Sequence, residues 1–196
     1  MIVIDIEATG TNHQKHSIVS LGALELERPE NQLYLECRAW EGAHIDPEAL
    51  AVCGYSEAEV TDPNKMTEEE LVRNFLGWAE TIIDRTLAGQ NVSFDRDYVK
   101  GACERAGEPF PFAHRTIDTH TLAFMHMVQR GETPPFDEER HRSALNLDAV
   151  LNYCGIPDEP QPHNALTGAK SHAEVISRLL YNTPLLPEFT EHPLPW

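Results

Sequence analysis

Residues 2–10 read Ile2-Val3-Ile4-Asp5-Ile6-Glu7-Ala8-Thr9-Gly10, a short apolar run closed by polar residues. That pattern predicts a strand buried on both faces. Side chains alternate along a strand, so the Asp5 and Glu7 carboxylates point to one face. Two like charges held at the edge of a core are costly unless something positive joins them. Oxygen ligands of this kind favour a hard divalent cation, Mg²⁺ or Mn²⁺. Acid–x–acid pairs also arise by chance in a chain with 32 acidic residues out of 196, so it is the apolar setting of this pair that points to metal. Thr9-Gly10 follows directly. Glycine lets backbone approach a ligand closely, and Thr9 could donate to a phosphate or a sugar hydroxyl, although a plain turn reads the same way.

Outward from this strand, Ser17 to Glu27 and Asn31 to Cys37 predict two more, with Arg28-Pro29-Glu30-Asn31 as the turn between them. Links this short favour an antiparallel meander. Asp46-Pro47-Glu48 is a helix start with Pro at the first position, running to about Val52. Thr67-Glu68-Glu69-Glu70 is a capping box, and Leu71, Phe75, Leu76 and Trp78 recur behind it at helical spacing. Thr86 to Gly89 predicts a short strand, and a helix from Ser93 or Phe94 ends at Gly107. Thr116 to Thr119 predicts a last strand leading into a helix. A polar loop is expected over Gly131 to His141, and helices over Ser143 to Cys154 and Thr167 to Leu180. Strands separated by helices point to an α/β domain with a mixed sheet covered on both sides. Residues 1–181 read as one domain, followed by a C-terminal tail, 182–196, containing Pro.

With 15 Lys plus Arg against 32 acids the formal charge is −17. That excludes the basic-domain class of non-specific nucleic-acid binder, but not an enzyme that meets a polyanion through bound cations. Hydrophobic residues make up 41% of the chain, enough for a core. No apolar run reaches the ~18 residues needed to cross a bilayer, and no positively charged leader precedes Ile2, so a cytoplasmic protein without a membrane partner is expected. Cys37, Cys53, Cys103 and Cys154 form no CxxC and are expected to be reduced and free of zinc.

Two further segments carry candidate chemistry. Asn91-Val92-Ser93-Phe94-Asp95 sits at a strand-to-helix junction. Asp95 there either satisfies the helix dipole or adds a third carboxylate beside the first strand. His163 precedes the last helix, where it is either a solvated loop histidine or a general base able to titrate near neutrality.

Taken in order, Asp5-x-Glu7-x-Thr9-Gly10, Asn91-x-x-Phe94-Asp95 and His163-Asn164-Ala165-Leu166 resemble the DEDDh family of 3′–5′ exonucleases. That family takes in proofreading exonuclease subunits, ribonuclease T and oligoribonuclease. The segments His44 to Leu50, Thr116 to Thr119 and Ser143 to Ala149 extend the resemblance over residues 1 to 181. It implies a ribonuclease H-like fold with a five-stranded mixed sheet in order 3-2-1-4-5. It also implies two Mg²⁺ or Mn²⁺ ions held by Asp5, Glu7 and Asp95, with His163 taking the proton of the attacking water. The expected substrate is the 3′ end of single-stranded or short DNA or RNA, released as nucleoside 5′-monophosphates, with Thr9, Gly10, Asn91 and Phe94 near the terminal nucleotide. A homodimer or a polymerase partner occurs among relatives. One position departs from the pattern. The fourth carboxylate of the family should stand five residues after the histidine, and here that residue is Gly168. The departure implies that one metal is weakened or absent and that activity is impaired, with Gly168→Asp as the comparison. A catalytically inactive nucleic-acid-binding or scaffold protein on the same fold is the alternative, and a metal-dependent phosphatase a third.

Overall fold

The computed structural model describes all of residues 1–196. Its central sheet is built from β1 (Ile2–Ala8), β2 (Ile18–Glu25), β3 (Arg28–Glu36), β4 (Leu87–Gly89) and β5 (Ile117–Asp118), in the order β3-β2-β1-β4-β5. β1 pairs antiparallel with β2 and parallel with β4, and β4 pairs parallel with β5. The meander and the expected strand order are therefore present. The turn is not where the sequence placed it. Arg28-Pro29-Glu30-Asn31 lies inside β3, and the hairpin closes at Leu26-Glu27. β3 is the edge strand, where a Pro removes no ladder hydrogen bond that the sheet needs.

The alternation of β1 divides the molecule into two layers. Ile2, Ile4 and Ile6 belong to the main core together with Leu71, Val72 and Phe75 of α3 (Glu68–Ala79) and Tyr98, Val99 and Ala102 of α4 (Ser93–Ala106). The α3 residues are fully buried, and each is worth about 1.5–3 kcal/mol in transfer free energy. The predicted capping box starts α3: the Thr67 hydroxyl accepts from the Glu70 N–H while Glu70 accepts from the Thr67 N–H. Val3 faces the other way, into a cluster with Ala173 and Ile176 of α7 (Ala165–Tyr181). Asp5 and Glu7 follow Val3 on that side.

How closely α7 approaches the sheet is set by one residue of β2. A methyl on Gly22 would lie 2.2 Å from the Ala165 carbonyl, so only glycine lets the start of α7 rest on the strand. Gly22 is the register partner of Asp5. The first turns of α7 are thus laid directly over Asp5.

The remaining elements are α1 (Pro47–Cys53), α2 (Glu57–Val60), α5 (Thr119–Gln129), a small hairpin of β6 (Phe136–Asp137) and β7 (Arg142–Ser143), and α6 (Leu147–Tyr153). The expected loop at 131–141 therefore contains one strand of a hairpin. The expected helix from Ser143 begins only at Leu147, because Asn146 is the cap, its side chain accepting from the Ala149 N–H. α2 was not anticipated; it is a single turn behind its own capping box, Ser56 and Glu59.

The C-terminal tail is docked. Glu174 and Arg178 of α7 are fully buried and paired at 2.7 Å. Arg178 also donates to the carbonyls of Cys154 and Phe189, while Glu174 accepts from the amides of Leu185 and Leu186. This pair ties α6, α7 and the tail together. All four cysteines are buried and free, and no helix is long and apolar enough to cross a membrane.

Candidate active site

β4 is only three residues long and pairs with β1 only at Ile2 and Val3. Beyond its end the Ile6 N–H has no strand to donate to, and Asp95, in the first turn of α4, accepts that hydrogen bond at 3.0 Å through Oδ1. This draws a carboxylate from residue 95 to the middle of β1, against Asp5 and Glu7. Asp95 is 3% exposed, so its position is not explained by a solvated helix N-terminus alone.

The electrostatics follow from crowding. Burial, and then the neighbouring carboxylates of Asp95, Glu7 and Glu159, push the Asp5 carboxyl well above its ordinary value. Glu7 is pushed up to about 7, by burial and then by Glu159. Asp95 is raised chiefly by burial, against the opposing effect of the amides that donate to it. No Lys or Arg pairs with Asp5, Glu7, Asp95 or Glu159 within 4.0 Å; the only basic group that near is the His163 imidazole, 3.8 Å from Glu159. In a chain where twelve ion pairs form elsewhere, this group is left with uncompensated negative charge. No three His, Cys, Asp or Glu side chains are closed into a ready-made cage; the acids form an open cluster. Hard oxygen donors in a partly desolvated setting without a protein counter-charge fit Mg²⁺ or Mn²⁺.

Glu159 was not among the residues singled out in the sequence. It lies between α6 and α7, its side chain only 6% exposed, and burial followed by Asp148 pushes its carboxyl up to about 7. No motif marks it; the one signal available was an acid in the segment just before His163.

The Thr9 hydroxyl and the Gly10 carbonyl are both engaged within the fold. Thr9 is fully buried. Its hydroxyl donates to the His44 carbonyl at 2.7 Å and accepts from the Ser17 amide at 2.9 Å. The Gly10 carbonyl accepts from Tyr98, and a methyl on Gly10 would strike the His16 ring at 2.3 Å. These contacts fasten the end of β1 to the loops around it. Phe94 is half-buried against Tyr98, ring centroids 4.7 Å apart. Asn91 is exposed with φ of 51° and opens a polar cleft of about 610 Å³ that continues through Gln90, Asp118, His120, Arg142 and Asn146. Among the nearby cations, Arg96, Lys100 and Arg140 are paired with Asp97, Glu104 and Asp137. Arg142 lines the cleft without an acidic partner. His163 is about one-third exposed, its amide donating to the Val52 carbonyl at 3.3 Å.

An exonuclease family model, RNase T, matches residues 2–176. Ribonuclease T of Yersinia pseudotuberculosis is 29% identical over 180 residues, covering 79% of this chain and 83% of the relative. Ribonuclease T of Klebsiella pneumoniae is 29% identical over 172 residues, covering 74% and 77%. Among solved structures, Exonuclease I from Methylocaldum szegediense superposes with a TM-score of 0.73 at 17% identity over 92% of this chain, which spans only 40% of that protein. The nuclease domain of 3′hExo, a DEDDh family member bound to rAMP, superposes with a TM-score of 0.69 at 16% identity, covering 94% and 93%.

Proposed function

The chain belongs to the RNase T exonuclease family, of the DEDDh class of 3′–5′ exonucleases, and on that premise we propose that it is a metal-dependent enzyme removing nucleoside 5′-monophosphates from the 3′ end of single-stranded or short DNA or RNA. The observation that supports this most directly is the convergence of Asp5, Glu7 and Asp95 into one partly buried cluster without a basic partner. Asp5, Glu7 and Asp95 would hold two Mg²⁺ or Mn²⁺ ions, and the chemistry these supply when bound is an activated water and neutralisation of charge on the scissile phosphodiester.

The chain's own groups do the rest. His163, about one-third exposed at the mouth of the site, would accept the proton of the attacking water. The Ile6 amide holds Asp95 in position. The Thr9 hydroxyl, through His44 and Ser17, holds the end of β1. The polar cleft beginning at Asn91 is within the range that accommodates a small ligand and would receive the terminal nucleotide, with Arg142 as its free positive charge. The net charge of −17 makes a long electrostatic grip on duplex unfavourable, which favours short or unpaired ends.

The test is a ladder assay on 5′-labelled single-stranded DNA and RNA with Mn²⁺. Stepwise shortening from the 3′ end, abolished by Asp5→Ala, is expected. Retained oligonucleotide binding with no shortening under any metal would support the inactive, nucleic-acid-binding reading that Gly168 suggests.

A further inference from the structure

Gly168 leaves the family's fourth acidic position without a side chain, yet the space beside it is not without a carboxylate. A Cβ on Gly168 would lie 2.1 Å from Asp5 Oδ2 and 3.0 Å from Glu159 Oε1. Those two oxygens, from residues 5 and 159, are therefore within about 5 Å of each other across Gly168. Glu159 Oε1 is buried and has no hydrogen-bond partner, while Oε2 stands 3.8 Å from His163 Nδ1, too far for a hydrogen bond. A buried carboxylate oxygen without a donor is costly unless a cation reaches it. The segment that carries Glu159 is held firmly. Pro162 rests so close to Gly54 that a methyl there would be 2.5 Å from its ring, and the His163 amide is bound to Val52.

We propose that Glu159 is the fourth acidic ligand of the divalent-cation site, reaching in from the loop before α7 to the place that the side chain of residue 168 leaves open. The inference rests on the exonuclease reading, and it removes the reason for expecting an impaired enzyme. Glu159 and Gly168 form a compensating pair. The longer glutamate arrives from four residues before His163 rather than five after it, and glycine at 168 keeps α7 from filling the same space.

The experiment is an Mn²⁺ titration of the metal-free protein, followed by electron paramagnetic resonance of the unbound ion and by calorimetry. The proteins are the wild type, Glu159→Gln, Glu159→Asp, Asp158→Asn and Asp5→Asn. Circular dichroism and thermal melting verify folding, which the isosteric Glu159→Gln change in a loop should preserve. Asp158, whose carboxylate accepts from Asn152 at 3.0 Å, controls for lost charge in the same segment and should bind Mn²⁺ as the wild type does. Glu159→Gln should weaken at least one Mn²⁺ equivalent tenfold or more, since losing a direct ligand exceeds the effect of losing its supporting partners. Glu159→Asp should recover part of that affinity. Unchanged Mn²⁺ affinity in Glu159→Gln overturns the proposal, including when turnover falls through loss of the His163 contact. Affinity lost in Asp5→Asn but kept in Glu159→Gln leaves the exonuclease reading standing without Glu159. Wild-type protein that binds no Mn²⁺ overturns both.

Discussion

Gly168→Ala separates the geometry of this site from the motif it departs from. The added methyl would stand 2.1 Å from Asp5 Oδ2 and 2.8 Å from Asp5 Cγ, where ordinary contact begins near 3.4 Å. The Asp5 carboxylate must therefore retreat by about 1 Å or more. Two opposing terms act on stability. Replacing glycine by alanine inside a helix gains about 1 kcal/mol, and overfilling a packed site costs about 1–3 kcal/mol. Asp5 ends in a short side chain that relieves the clash by rotating, so the net change should stay within about 1 kcal/mol, or about 4 °C in Tm for a chain this size. Activity has no such compensation, because a reacting group misplaced by about 1 Å costs on the order of 10²-fold. Gly168→Asp carries the same Cβ. It should lower turnover rather than raise it, the opposite of what the family motif alone implies. The assay is initial-rate release of 5′-mononucleotides with Mn²⁺, alongside thermal melting. Wild-type turnover in Gly168→Ala, or faster turnover in Gly168→Asp, would refute the placement of Asp5 against α7.

Three further outcomes are expected. His163→Ala should reduce turnover by about 10²–10⁴-fold while leaving Mn²⁺ affinity near that of the wild type, read by the same rate assay and by calorimetry. Glu174→Ala should destabilise by about 3–5 kcal/mol, because it leaves the fully buried Arg178 unpaired; denaturant unfolding measures it, and a loss under about 1 kcal/mol would contradict the assigned burial. Glu7 and Glu159 are both raised from the ordinary carboxylate range to about 7. A raised carboxyl stabilises the fold fully below its unfolded value, and that stability is lost as pH climbs through about 7. Metal-free protein should therefore melt several degrees lower at pH 8 than at pH 5, and saturating Mn²⁺ should reverse the loss at pH 8. A flat profile without metal would argue against a crowded acidic cluster.

Local properties of the chain set the framework and placed the first acids of the site. The apolar run holding Asp5 and Glu7 predicts a buried strand, and a strand puts both acids on one side, because that alternation is a property of any extended chain. The Thr67 capping box and the Gly107 stop are equally local, since each is set by a few neighbouring backbone groups. What required the tertiary structure depends on contacts between residues far apart in the chain. The turn misplaced at Arg28 to Asn31 shows one form of this: Pro29 is tolerated in a strand only because β3 is an edge. Thr9 looked available to a nucleotide until the loop carrying His44 was seen to occupy its hydroxyl. That α7 rests on Gly22 is likewise a contact between residues far apart in the chain. Glu159 is the strongest case. Its loop, held by Pro162 against Gly54, crosses α7 at the one turn where residue 168 has no side chain, and no spacing rule along the chain encodes that meeting.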